Sequence, residues 1–118
     1  MREQIRDKGR LQHILESIDY VLEFTSKVDF EEFLKNKLLQ FAVIKNIEII
    51  GEASYKITKE FKCKHPEIEW QVITDLRHVL VHGYYQIRLE VIWDIILKEI
   101  HPLREKIQQL YDEELLNN

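Results

Sequence analysis

LEVIWDIILKEIHPLREKIQQL, running from Leu89 to Leu110, is the stretch whose reading decides the fold. Leu89, Trp93, Ile96, Ile100, Leu103, Ile107 and Leu110 recur at alternating spacings of four and three. That spacing is the a/d seam of a helix packed against other helices. A helix is therefore expected from about Leu89 to Tyr111. Pro102 lies inside it and should bend or split it, because proline lacks the N–H that closes a helical turn.

Apolar periodicity also marks the rest of the chain. Leu11, Ile14, Leu15, Ile18, Val21 and Leu22 form one wide apolar stripe, which predicts a first helix from about Glu3 to Phe24. Thr25 to Asp29 reads as a loop, with Asp29 as the N-cap of the next helix and Glu32 three residues on. A second helix is expected over Phe30 to Ile57. Leu38, Leu39, Phe41, Ala42, Val43, Ile44, Ile47, Ile49 and Ile50 cover almost its whole circumference, the pattern of a helix buried on more than one side. Its polar exceptions, Lys45, Glu48, Glu52 and Lys56, share one narrow face. They are either a solvated stripe with a Glu52–Lys56 ion pair or carboxylates facing a cleft. Thr58 to Pro66 loses the helical period and ends in proline, so it reads as a loop. It gathers Lys59, Lys62, Lys64 and His65, as either a solvated loop or a contact for RNA phosphates. A third helix should cover about Ile68 to Val81, with a break near Asp75. Trp70 and Trp93 are expected as core anchors.

Three glycines and two prolines in 118 residues are too few turn formers for an all-β chain. The expectation is all-α: one up-down bundle of four to five helices spanning residues 1–118. Apolar residues at 45% and charged residues at 32% fit a folded, water-facing domain rather than a disordered one. A lone cysteine, Cys63, excludes an internal disulfide and favours a reducing compartment. The start is too charged for a signal peptide, and no apolar run approaches the roughly 20 residues that span a bilayer. A cytoplasmic protein without a membrane partner is expected. The net charge of −4 counts against a broad nucleic-acid surface, and no DNA partner is expected, though a local basic cleft is compatible with it.

The chemistry concentrates in Asp75-Leu76-Arg77-His78-Val79-Leu80-Val81-His82-Gly83-Tyr84-Tyr85. Gly83, directly after an apolar helical run, suits the residue that ends a helix. His82 would then sit in the last turn, where the helix dipole favours imidazolium. Histidine moves protons near neutrality, and arginine stays charged and offers several donors to a phosphate. Such residues suit metal-free phosphodiester cleavage, in which RNA supplies its own 2′-hydroxyl as nucleophile and a 2′,3′-cyclic phosphate results. The structural alternatives stay open. Arg77 pairs with Asp75 or a carboxylate of the second helix, His82 caps carbonyls, and Tyr84 and Tyr85 cover the core. His78 and His82 are four apart and could share a metal, but no CxxC or HExxH arrangement supports one. Neither metal nor cofactor is expected. Arg77 and His82 are five apart, about 140° around a helix. A two-fold dimer with this segment at its seam would bring two copies of each together.

From Arg77 to Tyr84 the sequence reads R-x4-H-x-Y, which resembles the R-x4-6-H-x-Y signature of HepT-like proteins of the HEPN superfamily. The resemblance extends through Ile49-Ile50-Gly51-Glu52-Ala53, the approach from Pro66 to Trp70, Val91-Ile92-Trp93 and Phe30-Glu31-Glu32-Phe33. It implies a helical, two-fold homodimeric toxin that cuts RNA, tRNA in some members, without metal. By that pattern Arg77 would stabilise the phosphate and His82 would transfer protons; His78, and Glu48 and Glu52 if their face of the second helix meets the cleft, are the candidate supporting residues. His78 departs from the polar residue, often Asn, that usually follows the arginine. Tyr84 would be the tyrosine that a partner nucleotidyltransferase antitoxin modifies with AMP. The rival implication is a non-catalytic substrate-binding partner of a minimal nucleotidyltransferase.

Overall fold

A computed structural model describes residues 2–81 and 88–116, with side chains from Arg6 to Arg77 and from Arg88 to Leu116. Among these residues every regular element is a helix: α1 (Arg2–Thr25), α2 (Phe30–Lys35), α3 (Lys37–Lys56), α4 (Lys59–Lys64), α5 (Trp70–Val81), α6 (Leu89–Lys98) and α7 (Ile100–Leu116). The all-α expectation holds. α3 is the central rod, with α1 on one flank and α5 on the other, while α7 lies along α1 and receives α6.

Among the described residues seven helical segments stand where four to five helices were expected, and local side-chain chemistry explains the surplus. The expected helix from Phe30 to Ile57 is broken at Asn36, whose backbone is extended (φ −114°, ψ 94°). Its own N–H donates to the Phe33 carbonyl, closing α2, and its Oδ1 accepts from Leu39 N at 3.0 Å, opening α3. Asparagine competes with the backbone in this way, so an apolar period can continue across a break. Asp29 caps α2 as expected, with Glu32 N donating to its carboxylate at 2.8 Å.

The loop expected from Thr58 to Pro66 is instead largely helix α4. Thr58 caps it, accepting from Phe61 N at 3.2 Å, and Phe61 is buried in the core. Six residues are too few to display a helical period. The cap is itself fixed by α1: the buried Asp7 accepts from Thr58 N at 3.0 Å and from Thr58 Oγ1 at 2.6 Å. Arg10 donates to the same carboxylate and to the Lys56 carbonyl.

α5 runs through Asp75 without the expected break, and Asp75 accepts from Gln71 Nε2 at 2.8 Å. The last rod parts at Glu99, three residues before Pro102. Proline disturbs the turn that precedes it, by withholding its N–H from the carbonyl four residues back and crowding that carbonyl. Pro102 thereby falls in the first turn of α7, where a missing donor costs least.

The two seams read from the sequence do form the core. Leu11, Ile14, Leu15, Ile18 and Val21 of α1 are buried with Ile96, Ile100, Ile107 and Leu110 of α6 and α7. Trp70 is buried and donates to the His65 carbonyl at 2.9 Å. Trp93 is partly buried, with its ring 5.2 Å from Phe33 and 6.0 Å from Phe30, which pins α2 to α6. α3 is less enclosed than its composition suggests, because Leu38 is 81% and Phe41 67% exposed. Among the described residues, no helix is long and apolar enough to cross a membrane.

Candidate active site

The site begins with how closely α3 and α5 approach. A Cβ added to Gly51 would stand 2.9 Å from Arg77 Cβ and 3.0 Å from Arg77 N. Only the absence of a side chain there admits α5 to this distance. One turn on, Ser54 Oγ lies 2.9 Å from Thr74 Oγ1 and 3.2 Å from the Trp70 carbonyl, inside the core. Hydroxyls buried this way are paired because leaving them unpaired would cost about 1–3 kcal/mol. Gly51 and Ser54 together set the spacing and axial position of α5, and so the place of Arg77.

Arg77 emerges at this contact with 20% of its side chain exposed. Its Nη1 donates to Glu52 Oε1 at 2.9 Å. Its guanidinium carbon stands 3.9 Å above the centre of the Tyr55 ring, a cation–π contact. Its Nε is buried with no hydrogen-bond partner among the described residues. The guanidinium is thus fixed in plane by a carboxylate and a ring, with donors left over for an anion. Glu52 supplies the carboxylate of the second expected helix that the sequence left open for Arg77. It pairs across to α5 rather than with Lys56.

The other expected site residues fall differently. Glu48 lies one turn before Glu52, 3.7 Å from Lys45, in the groove between α1 and α3. His78 belongs to α5, its side chain outside the described residues, as are His82, Gly83, Tyr84 and Tyr85. Cys63 is exposed, and His65 stands 3.4 Å from Glu67 and 3.2 Å from Glu114. Among the described residues, no three His, Cys, Asp or Glu side chains gather as a metal site requires.

Sequence reading gave no role to Tyr55, Ser54 or Thr74. The available signal was that Tyr55 is three residues beyond Glu52 and so shares its face. Beside Arg77 a groove of about 560 Å³ opens between the end of α3, α4 and α5, lined by Tyr55, Lys59, Lys62, Gln71 and Thr74. Partial burial lowers the Lys62 pKa below the usual lysine range, against a weaker opposing pull from Asp7.

The model of the family described as "Ribonuclease HepT-like" matches residues 14–110, a span that includes the α3–α5 contact and the R-x4-H-x-Y segment. The chain belongs to the HepT-like family. Among HepT-like relatives, a probable ribonuclease HepT of Thermococcus cleftensis is 42% identical over 103 residues, covering 87% of this chain and 94% of that protein. A putative RNase of Methanocaldococcus jannaschii is 38% identical over 101 residues, covering 86% and 93%. A putative RNase of Caldanaerobacter subterraneus subsp. tengcongensis is 36% identical over 104 residues, covering 88% and 93%. No solved structure gives a significant match. The residues that carried the HepT-like resemblance have structural work as well. Gly51 permits the close approach, Glu52 holds Arg77, Ala53 is buried, and Trp70 starts α5 in the core.

Proposed function

We propose that this HepT-like chain is a toxin endoribonuclease that cleaves RNA without metal, as a homodimer held in check by a nucleotidyltransferase antitoxin. The carrying observation is Arg77 itself: a guanidinium fixed by Glu52 and Tyr55, with Nε unpartnered among the described residues, at the head of the R-x4-H-x-Y segment. An arginine held this way needs little reorganisation to meet the charge that grows on phosphate oxygens in the transition state. The names of the relatives, ribonuclease and putative RNase, favour the same chemistry.

In the proposed reaction the 2′-oxygen attacks phosphorus, forming the O2′–P bond as the P–O5′ bond breaks. A base takes the 2′-hydroxyl proton and an acid delivers one to O5′, leaving a 2′,3′-cyclic phosphate and a 5′-hydroxyl. His82 serves proton transfer, with the second His82 of a dimer available for the complementary step. The exposed Leu38 and Phe41 on α3 offer apolar area to a partner subunit. Transfer of AMP from ATP to the Tyr84 hydroxyl, with release of pyrophosphate, would place bulk and negative charge two residues from His82. That blocks the RNA phosphate by occupancy and repulsion.

The test is cleavage of RNA by purified protein in the presence of a metal chelator, alongside Arg77→Ala and His82→Ala. Cyclic-phosphate products from the parent and their loss from both folded variants support the reading. Intact RNA with all three leaves the chain a non-catalytic partner of the nucleotidyltransferase. Co-expression with that enzyme should add AMP mass to the peptide containing Tyr84, and Tyr84→Phe should remove it.

A further inference from the structure

We propose that the groove bounded by Tyr55, Lys59 and Lys62 seats the nucleotide beside the scissile phosphate, with Tyr55 stacking its base and the two lysines holding its phosphate. This rests on the ribonuclease reading for the identity of the strand and deepens it by extending the site from α5 onto α4.

Position is the first support. The groove and the guanidinium meet, since Arg77 forms one wall and Lys59 and Lys62 of α4 lie along the others. An RNA phosphate on Arg77 therefore leaves its neighbour at the groove. Charge is the second. Lys59 and Lys62 are three residues apart and share one face of α4. Among the described residues, no carboxylate stands within ion-pair distance of either, whereas Lys64 on the same short helix is engaged by Glu60 at 3.7 Å. Two lysines without an ion pair among the described residues and an arginine meet here in a chain whose net charge is −4. Burial depresses Lys62 more than the pull of Asp7 restores it, and a phosphate in the groove would add counter-charge directly.

The aromatic residue decides the class of ligand. Tyr55 is 57% exposed although the Arg77 guanidinium lies over one face of its ring. An exposed ring already carrying a cation is a platform for a base, and cations beside an exposed ring are how single strands are held without sequence readout. A simple anion site would have no use for the ring.

The test measures binding of a single-stranded RNA with 2′-O-methyl ribose throughout, which lacks the nucleophile and cannot be cleaved. Lys59→Ala/Lys62→Ala should lower affinity about tenfold near 0.1 M salt, and the log–log salt slope should fall by about 1.4, roughly 0.7 per lost phosphate contact. Tyr55→Ala should weaken binding about tenfold while Tyr55→Phe stays within about twofold of the parent, since stacking needs the ring and not the hydroxyl. Lys59→Glu, a change at an exposed position, should weaken binding more than Lys59→Ala without affecting the helical signal. Lys45→Ala, on the far side of α3, should leave the slope unchanged. A parent that binds no RNA, an unchanged slope in the double variant, or an equal loss in Lys45→Ala overturns the groove. Running the same proteins on cleavable RNA separates the two readings. Cleavage by the parent, with the double variant binding as tightly, sinks the groove alone. Binding with the expected slopes and no cleavage sinks the ribonuclease reading and leaves the groove standing.

Discussion

α3 has two polar flanks, and the contrast between them shows what turns charged residues into a site. Toward α1 a groove of about 550 Å³ is lined by Arg10, His13, Lys45, Glu48 and Lys56. Toward α5 a groove of about 560 Å³ is lined by Tyr55, Lys59, Lys62 and Arg77. Volume and residue types hardly differ. The ordering does. On the α1 side Lys45 and Glu48 meet at 3.7 Å with 70% and 36% of their side chains exposed, a pair that water screens almost fully. On the α5 side Arg77 is held at 2.9 Å by Glu52 and at 3.9 Å by Tyr55, with 20% of its side chain exposed. Glu52 itself lines the first groove while bonding into the second. On the α1 flank Lys45 and Glu48 are solvated and Arg10 is spent on the buried Asp7 and the Lys56 carbonyl, whereas the guanidinium on the α5 flank is positioned with Nε unpartnered among the described residues.

The largest expected effect separates the flanks by activity. Arg77→Ala should lower kcat/KM on RNA by about 10²–10³, the usual loss when a positioned charge stabiliser is removed. Arg77→Lys should recover little, because an ammonium lacks the planar fork that Glu52 and Tyr55 hold. Lys45→Ala should stay within about twofold; an equal loss from both flanks would erase the distinction.

Next comes one substitution with opposite signs. Gly51→Ala forces a Cβ against the Arg77 backbone and should destabilise by about 1–3 kcal/mol. Gly9→Ala, on α1, meets nothing within 4 Å and should stabilise by up to about 1 kcal/mol through helix propensity. Thermal melts of the two variants read both signs, and a Gly51→Ala melt at or above that of the parent would mean that α3 and α5 are not in tight contact.

Smaller still, Ser54→Ala leaves Thr74 Oγ1 without its partner and should cost about 1 kcal/mol in chemical denaturation. The exposed Lys45–Glu48 pair should lose no more than about 0.5 kcal/mol on Lys45→Ala.

The smallest effect concerns Lys62. Its folded-state pKa is depressed by burial, so the charged form is disfavoured on folding. That cost is fully present at neutral pH, below the folded pKa, and fades as pH rises through the lysine range. Lys62→Gln should therefore raise the melting temperature slightly at pH 7, with the gain shrinking toward high pH. A gain that grows with pH would reverse the sign and remove desolvation as the cause.

The legible parts of the fold were those with enough residues to display a period. The 24 residues of α1 and the Leu89–Leu110 seam identified themselves, as did the Asp29 cap. α4 did not, since six residues carry no period and its cap depends on Asp7, 51 residues away. Asn36 was hidden because the apolar pattern continues through it. Pro102 announced a break but could not place it at Glu99.

For the site, the sequence by itself determined the helical class, the HepT-like signature from Arg77 to Tyr84, and the candidacy of Arg77 and Glu52. Tertiary structure alone decided that those two meet, because they are 25 residues apart and only the α3–α5 contact at Gly51 brings them to 2.9 Å. It also chose Glu52 over Glu48, separated by one turn on the same face. Sequence spacing places both carboxylates alike, while a hydrogen bond depends on which turn of α3 stands opposite Arg77. That alignment is fixed by the packing of Gly51, Ser54 and Thr74.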